Sequence, residues 1–230
     1  MTDAHSRPRL KGHRFPHEII AQAVRLYLRF NLSLRDVEEL LAERGVVVSY
    51  ETIRKWVARF APQFAAAVRR ARPAPNDQWH LHEMVIRIHG ETHWLWRAVD
   101  AGGEVLDMLV QSRRNAKAAE RFLRKLIQRW GRPRVIVTDK LGSYASAIGD
   151  LAPGLEHRRH KGINNRVEAS HRHTRRREKA LGRFKSPGQA QQLLSAHDQF
   201  AVPFRPKRHR LSARSNCNEF LQTWGCSQCF

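Results

Sequence analysis

The chain has 230 residues, with 42 Lys and Arg against 21 Asp and Glu, a formal net charge of +21. An excess this large goes beyond what dispersal in water requires and points to a polyanionic partner, nucleic acid before an anionic membrane surface. Hydrophobic residues make up 41% of the chain, which is enough for a core and sets wholesale disorder aside.

No segment approaches the ~18 consecutive apolar residues of a membrane span. Met1 to Ser6 lacks the apolar stretch of a secretory signal. The three cysteines, Cys217, Cys226 and Cys229, are too few and too terminal for a disulfide framework, so a reducing cytoplasm is expected.

Residues 1–14 are polar and basic and read as an arm. Ile20, Ala23, Val24, Tyr27 and Leu28 then recur at helical spacing. A second helix is expected from Ser33, which forms a capping box with Asp36, and it carries Leu34, Val37, Leu40 and Leu41 as its stripe. Gly45 closes it. Ser49 opens a third helix with Ile53, Trp56, Val57 and Phe60 inward and Tyr50, Glu51, Arg54, Lys55 and Arg59 outward. Three such helices over residues 15–61 predict a small all-α helix-turn-helix domain. Its third helix would bring Tyr50, Glu51, Arg54 and Lys55 to DNA. A helical bundle with a solvated basic face has the same pattern.

Residues 62–78 read as a linker, because Pro62, Pro73 and Pro75 flank Arg69, Arg70 and Arg72. From Trp79 the texture changes. Strands are expected at Met84 to Ile88, His93 to Val99 and Val105 to Val110, the last two joined through Asp100-Ala101-Gly102-Gly103. A helix follows from Ala116 to Trp130, with Ala119, Phe122, Leu123 and Leu126 on one stripe. Arg134 to Thr138 is an unbroken apolar strand that ends in Asp139. A short helix near Tyr144 to Ile148, a strand around residues 155–160, a basic helix from about 164 to 181 and a last helix over 187–200 complete the order. This is a mixed α/β sheet flanked by helices.

Two carboxylates carry the chemistry. Asp139 ends a buried strand, where α/β sheets usually present their ligands. Glu168 lies 29 positions later on the basic helix, with His171, Arg172 and Arg175 at +3, +4 and +7, all on one face. Paired carboxylates with a nearby cation suit two Mg²⁺ ions engaged in phosphoryl transfer. Taken singly, Asp139 equally fits a turn-capping aspartate, and Glu168 an ion-pair partner of Arg172. Arg158, Arg159, Lys161, Arg172, Arg175 and Arg176 form a candidate track for DNA phosphates, with a solvated helix face as the plain alternative. His157, His160, His171 and His173 lie among these cations and Arg177, which would lower their pKa values. Trp79, Trp94, Trp96 and Trp130 are expected in the core.

Several stretches carry a family likeness. They are Ser33-Leu34-Arg35-Asp36-Val37-Glu38, Ser49-Tyr50-Glu51-Thr52, Trp79-His80-Leu81, Trp96-Arg97-Ala98-Val99-Asp100, Val137-Thr138-Asp139-Lys140, His160-Lys161-Gly162-Ile163-Asn164-Asn165-Arg166 and Phe184-Lys185-Ser186-Pro187-Gly188. On these, residues 15–212 resemble a bacterial insertion-sequence transposase of the DDE class, in insertion-sequence family six. The resemblance implies an RNase-H-like catalytic core over residues 79–212 behind the N-terminal domain. It implies Mg²⁺-dependent cleavage and strand transfer on double-stranded DNA, namely the element's terminal inverted repeats and a target. It further implies a homo-oligomer in the bacterial cytoplasm, associated with the nucleoid. Asp139 then matches the second catalytic acid, Glu168 the third, and Arg175 the basic residue after it.

The likeness breaks at two places. The family pattern Trp-His-Leu-Asp-Glu reads Trp79-His80-Leu81-His82-Glu83 here, so His82 occupies the first acid's position. Glu83 cannot replace it without a one-residue slip that would also turn over the Met84, Ile86, Ile88 row. A neutral imidazole adds no negative charge and cannot bridge two Mg²⁺, so impaired transposition is expected. The alternative is a catalytically inactive DNA-binding protein that occupies element ends and inhibits active copies, with a general nuclease of the same fold behind it. The second break is the tail, residues 213–230. Its Cys226-x-x-Cys229 pair, even with Cys217 and His209, is a weak zinc signature, and the tail reads as diverged or frame-altered.

Overall fold

A computed structural model of the protein describes residues 12–70, 74–139, 142–159 and 165–201, with the main chain alone at 165–170, 173, 200 and 201. The expected arm up to residue 11, Arg72, Pro73, His160, Lys161 and the Cys-containing tail lie outside the described residues, as do the side chains of Glu168 and His173. Two compact units divide the chain between Gln63 and Phe64.

The described part of the first unit is helical. α1 (His17–Arg29) buries Ile20, Ala23, Val24, Tyr27 and Leu28, the stripe its spacing predicts. α2 (Leu34–Ala42) opens with a reciprocal capping box. Ser33 Oγ accepts from Asp36 N at 3.1 Å, and Asp36 Oδ2 accepts from Ser33 N at 2.8 Å. Its exit uses Gly45 at φ 75°, where Val46 N reaches back to Leu41 O at 2.9 Å. Glycine takes this left-handed conformation without a Cβ penalty. α3 (Tyr50–Arg70) buries Ile53, Trp56, Val57 and Phe60.

The expected break at Pro62 does not occur: α3 continues through it to Arg70. A proline here removes one donor and crowds the carbonyl four residues back, at a cost of about 3 kcal/mol. Ala61, Ala65, Ala66 and Ala67 are strong helix formers that carry the helix on. The sequence punctuation was right about the residue and wrong about its reach.

The second unit is built on a five-stranded sheet of order β3-β2-β1-β4-β5. β1 (Gln78–Ile88), β2 (Glu91–Asp100) and β3 (Val105–Gln111) form an antiparallel meander. β4 (Val135–Thr138) pairs in parallel with β1, and β5 (Glu156–Arg159) in parallel with β4. The helices are α4 (Ala116–Trp130), α5 (Gly142–Leu151), α6 (Asn165–Ala180) and α7 (Pro187–Ala201). This is the mixed α/β sheet flanked by helices that the sequence order predicts.

β1 starts six residues earlier than its apolar run suggests, at Gln78. Its first half is held from both sides: Trp79 to His82 face Asp100 to Arg97 on β2, and Gln78 to His80 face Val135 to Val137 on β4. Side chains alternate along it. Trp79 and Leu81 join Trp96, Ala98, Leu106 and Ile136 in the core packed under α4 and α5. From those helices Ala119, Phe122, Leu123, Leu126, Tyr144 and Ile148 close that core. Trp94 and Trp130 pack against it partly buried. The opposite sheet face meets α6 over β1 and β2, and α7 over β3.

That second face buries charge among its apolar side chains. Arg97 on β2 and Asp198 on α7 form an ion pair, each side chain only 1% exposed. Arg97 also donates to Thr174 Oγ1 on α6 at 3.1 Å. Burial alone would raise the Asp198 carboxyl, but the Arg97 guanidinium and the His197 hydrogen bond hold it below the usual range. The ion pair links β2 to α7, and the Thr174 hydrogen bond links Arg97 to α6, alongside apolar contacts such as those of Leu193 and Leu194.

Candidate active site

His82 sits in the middle of β1 and faces α6. Its Nδ1 lies 3.0 Å from His171 Nε2, so one imidazole donates to the other. The two rings tilt at 52°, with centroids 5.1 Å apart. Burial first, then the neighbouring Arg97 and His82, push His171 down to about 2. His171 is a neutral imidazole at every physiological pH. The sequence reading attributed low histidine pKa values here to crowded cations; burial is the larger cause, at His171 and also at His157.

This has a stability consequence. Below the ordinary histidine value of 6.5, the unfolded chain takes up a proton that the folded site refuses. Stability should therefore fall as pH drops from about 6.5 towards about 2. Buried His197, also lowered, and Asp198 act in the same direction. Chemical denaturation across this range should show the decline, with a shallower slope in His171→Phe. An equal slope would remove His171 from the account.

Glu83, next along β1, points to the opposite face, as strand alternation requires. Its carboxylate, 1% exposed, is paired with Arg114, whose Nε donates to Oε1 at 2.8 Å. Arg114 also lies over the Trp94 ring at 4.8 Å. Burial, then the Glu83 and Asp139 carboxylates, push the Tyr144 phenol well above its ordinary value. Glu83 is thus held in place on the α4–α5 side. Met84, Ile86 and Ile88 are buried in the unslipped register.

Asp139 follows β4 directly. Its side chain is 24% exposed, and Arg114 Nη2 lies 3.9 Å from Oδ2. The strand end is clamped by Thr138, which is fully buried. Its hydroxyl donates to Asp139 O at 2.8 Å, and His157 Nε2 lies 2.8 Å from the Thr138 hydroxyl oxygen itself. Because the hydroxyl proton is already committed, His157 donates through Nε2. The β1–β4 register pairs His80 with Val137, and Asp139 follows two residues after Val137, just past the strand end. Glu168 lies in α6 three residues before His171, one helical turn away.

Arg114, Tyr144 and the His82–His171 contact escaped the sequence reading. Arg114 had a visible trace, the second of two arginines in the loop between the third strand and the helix after it. The histidine pair had none, because 89 residues separate its members.

The donor set does not suit a pair of Mg²⁺ ions. His82, bonded to the neutral imidazole of His171, brings no anionic oxygen of the kind a hard ion requires. Among the described residues, no three His, Cys, Asp or Glu side chains are grouped to hold a metal ion.

The predicted DNA contacts fall into different environments. Arg172 and Arg176 are exposed on α6. Arg175 is 53% exposed and bonds both Glu178, at 3.0 Å, and Val85 O, at 2.7 Å. Arg158 and Arg159 are exposed at the sheet edge, and Arg158 is paired with Glu156 at 2.6 Å. Arg177, grouped with these cations by sequence, is fully buried and is removed from the track. In the first unit, Tyr50, Arg54 and Lys55 are exposed at the start of α3. Arg54 is engaged by Glu51 at 2.6 Å, and the Arg35 guanidinium lies 5.2 Å from the Tyr50 ring centroid.

Comparison with known proteins gives these positions a family. A family model described as a DDE domain, of the IS240 transposase type, matches residues 76–206. The transposase for insertion sequence-like element IS431mec of Staphylococcus aureus is 30% identical over 221 residues, covering 94% of this chain and 93% of the relative. The transposase for insertion sequence element IS257 in transposon Tn4003, also from Staphylococcus aureus, is 29% identical over the same length. Among solved structures, the HTLV-2 integrase catalytic core domain in complex with magnesium aligns with a TM-score of 0.43 at 14% identity, covering 62% of this chain and 93% of that one. The chain belongs to the DDE insertion-sequence transposases, and the mixed α/β sheet flanked by helices is its core.

Proposed function

We propose that this transposase binds the ends of its insertion sequence through the first unit and the basic face of α6, and that its cleavage and strand-transfer chemistry is impaired. The observation that carries the second half is His82. It holds the position of the first acid, and His171 holds its ring. Asp139 and Glu168 are the remaining acids of the family's three, and Mg²⁺ is the ion they would serve. Two acids supply too little negative charge to gather two divalent cations.

The DNA-facing half is supported by exposed cations on both units and by the +21 net charge. Tyr50, Glu51, Arg54 and Lys55 open α3, as the reading element of a helix-turn-helix would. Arg172, Arg175 and Arg176 serve the phosphate backbone. With binding intact and chemistry weakened, the protein would occupy element ends and compete with active copies, and homo-oligomers bridging two ends would do so best. A nucleoid-associated place in the bacterial cytoplasm follows. No described helix is long and apolar enough to cross a membrane.

Fluorescence anisotropy on duplexes carrying the element's terminal repeats tests the binding half. Affinity should fall steeply with salt, the logarithmic slope being about −0.9 per phosphate neutralised. A flat response, or equal affinity for unrelated duplexes at physiological salt, would contradict end binding.

A further inference from the structure

A basic cleft of about 570 Å³ opens beyond the candidate active site, where the β1–β2 turn meets the end of α6. Arg87, His89, Arg175, Arg183 and Lys185 line it, with Glu178 as the only acid in the lining. Resting on the reading of this chain as a DNA-binding protein, we propose that this cleft holds the phosphodiester backbone of the DNA strand that leaves the His82–His171 site.

Three observations converge on it. First, α6 runs alongside β1 and links both places: His171 meets His82, and one turn later Arg175 meets Val85 O. Along β1, His82 to Ile88 is six steps, roughly 20 Å at ~3.3 Å per residue, and His89 follows in the turn. A B-DNA strand presents a phosphate about every 3.4 Å of axis, so a strand running from one place to the other would bring several phosphates towards the cleft.

Second, the cations outnumber the acid. Glu178 is 14% exposed and already bonds Arg175, which leaves Arg87, Arg183 and Lys185 exposed to solvent. The carbonyl end of α6 also faces this region, but a helix end carries only about half a charge.

Third, the backbone is held in a conformation that ordinary side chains avoid. Among the described residues, His89 at φ 52° and Arg183 at φ 85° are the non-glycine positions with positive φ, and both line the cleft. Such conformations persist where surrounding structure enforces them, often at ligand sites. The enforcement is visible: His89 Nε2 donates to Lys185 O at 2.7 Å, and Ile88 bridges to Phe184. Arg183 N is held by Glu178 O at 3.1 Å. The loop is thereby fastened to the hairpin with its cations outward.

Arg183→Gly gives the test, because charge and backbone respond in opposite directions. Glycine relieves the left-handed φ, so the melting temperature should stay equal or rise. Removing the cation should make the salt slope of full-length protein on a labelled duplex of arbitrary sequence shallower by about 1. The Arg87→Gln/Lys185→Gln pair should flatten it by about 2, equally for end and unrelated duplexes. If native protein binds DNA and all these variants match it in slope and affinity, the cleft proposal falls while the DNA reading stands. If native protein does not bind DNA, both fall. A lower melting temperature accompanying weaker binding in Arg183→Gly would mean the residue acts through the fold, and would overturn the proposal. Loss of binding to anionic vesicles with DNA binding unchanged would overturn it in favour of a lipid surface.

Discussion

His82→Asp should raise strand transfer by about a hundredfold or more over the native protein, with Mg²⁺ or Mn²⁺ and end DNA. The expectation follows from charge. A metal ion that stabilises a developing anion contributes several kcal/mol to the barrier, and each 1.36 kcal/mol is a factor of ten. Position 82 is the right place for a carboxylate because the register is secured. Glu83 is paired with Arg114 on the far face, and Met84, Ile86 and Ile88 are buried, so the strand has no low-cost slip that would deliver Glu83 instead. The His171 Nε2 that lies 3.0 Å from His82 Nδ1 would be in reach to donate to the new carboxylate. Strand transfer by native protein at the level of the variant would refute the impairment. Inactivity of both would locate the defect elsewhere, at Glu168 or in the tail.

The largest effect on stability is expected at the buried ion pair. Asp198→Ala leaves Arg97 charged among α6, α7 and the sheet, where it is 1% exposed. Removing one partner of a buried pair costs about 3–5 kcal/mol, and for a chain of this size the melting temperature falls about 2–4 °C per kcal/mol. A drop on the order of 10 °C is therefore expected. Replacing both partners together, Arg97→Met with Asp198→Leu, should recover most of it, because no uncompensated charge is left. A single substitution that leaves the melting temperature unchanged would show that water or a rotated Arg97 side chain relieves the charge. The Thr174 hydrogen bond, 3.1 Å long, is too small a term to do so alone.

The sequence carried the element order because each segment's periodicity agreed with its final surroundings. α4 shows this most plainly: Ala119, Phe122, Leu123 and Leu126 recur at helical spacing and all become fully buried. The capping box at Ser33 was equally local and equally readable. What the sequence could not carry was anything decided by distant partners. The first half of β1 mixes Trp, His, Leu and Glu, and it becomes a strand only because β2 and β4 flank it. Pro62 looked like a boundary because the propensity of one residue outweighed that of the alanines after it. Arg177 looked like surface because its neighbours are cationic, yet tertiary packing buries it. At the candidate site, Asp139 was legible from its place after an apolar strand. The imidazole pair that gives position 82 its character was not, since His171 reaches it only through the packing of α6 on β1.

The most direct measurement is Mn²⁺ occupancy, read by electron paramagnetic resonance on native protein and on His82→Asp, each bound to the same end duplex. The variant should retain more tightly held Mn²⁺ per chain than the native protein at the same free concentration, and a spin-coupled pair should be seen only with the variant. Equal occupancy, with a coupled pair in the native protein, would show that His82 does not leave the metal site short of an acid.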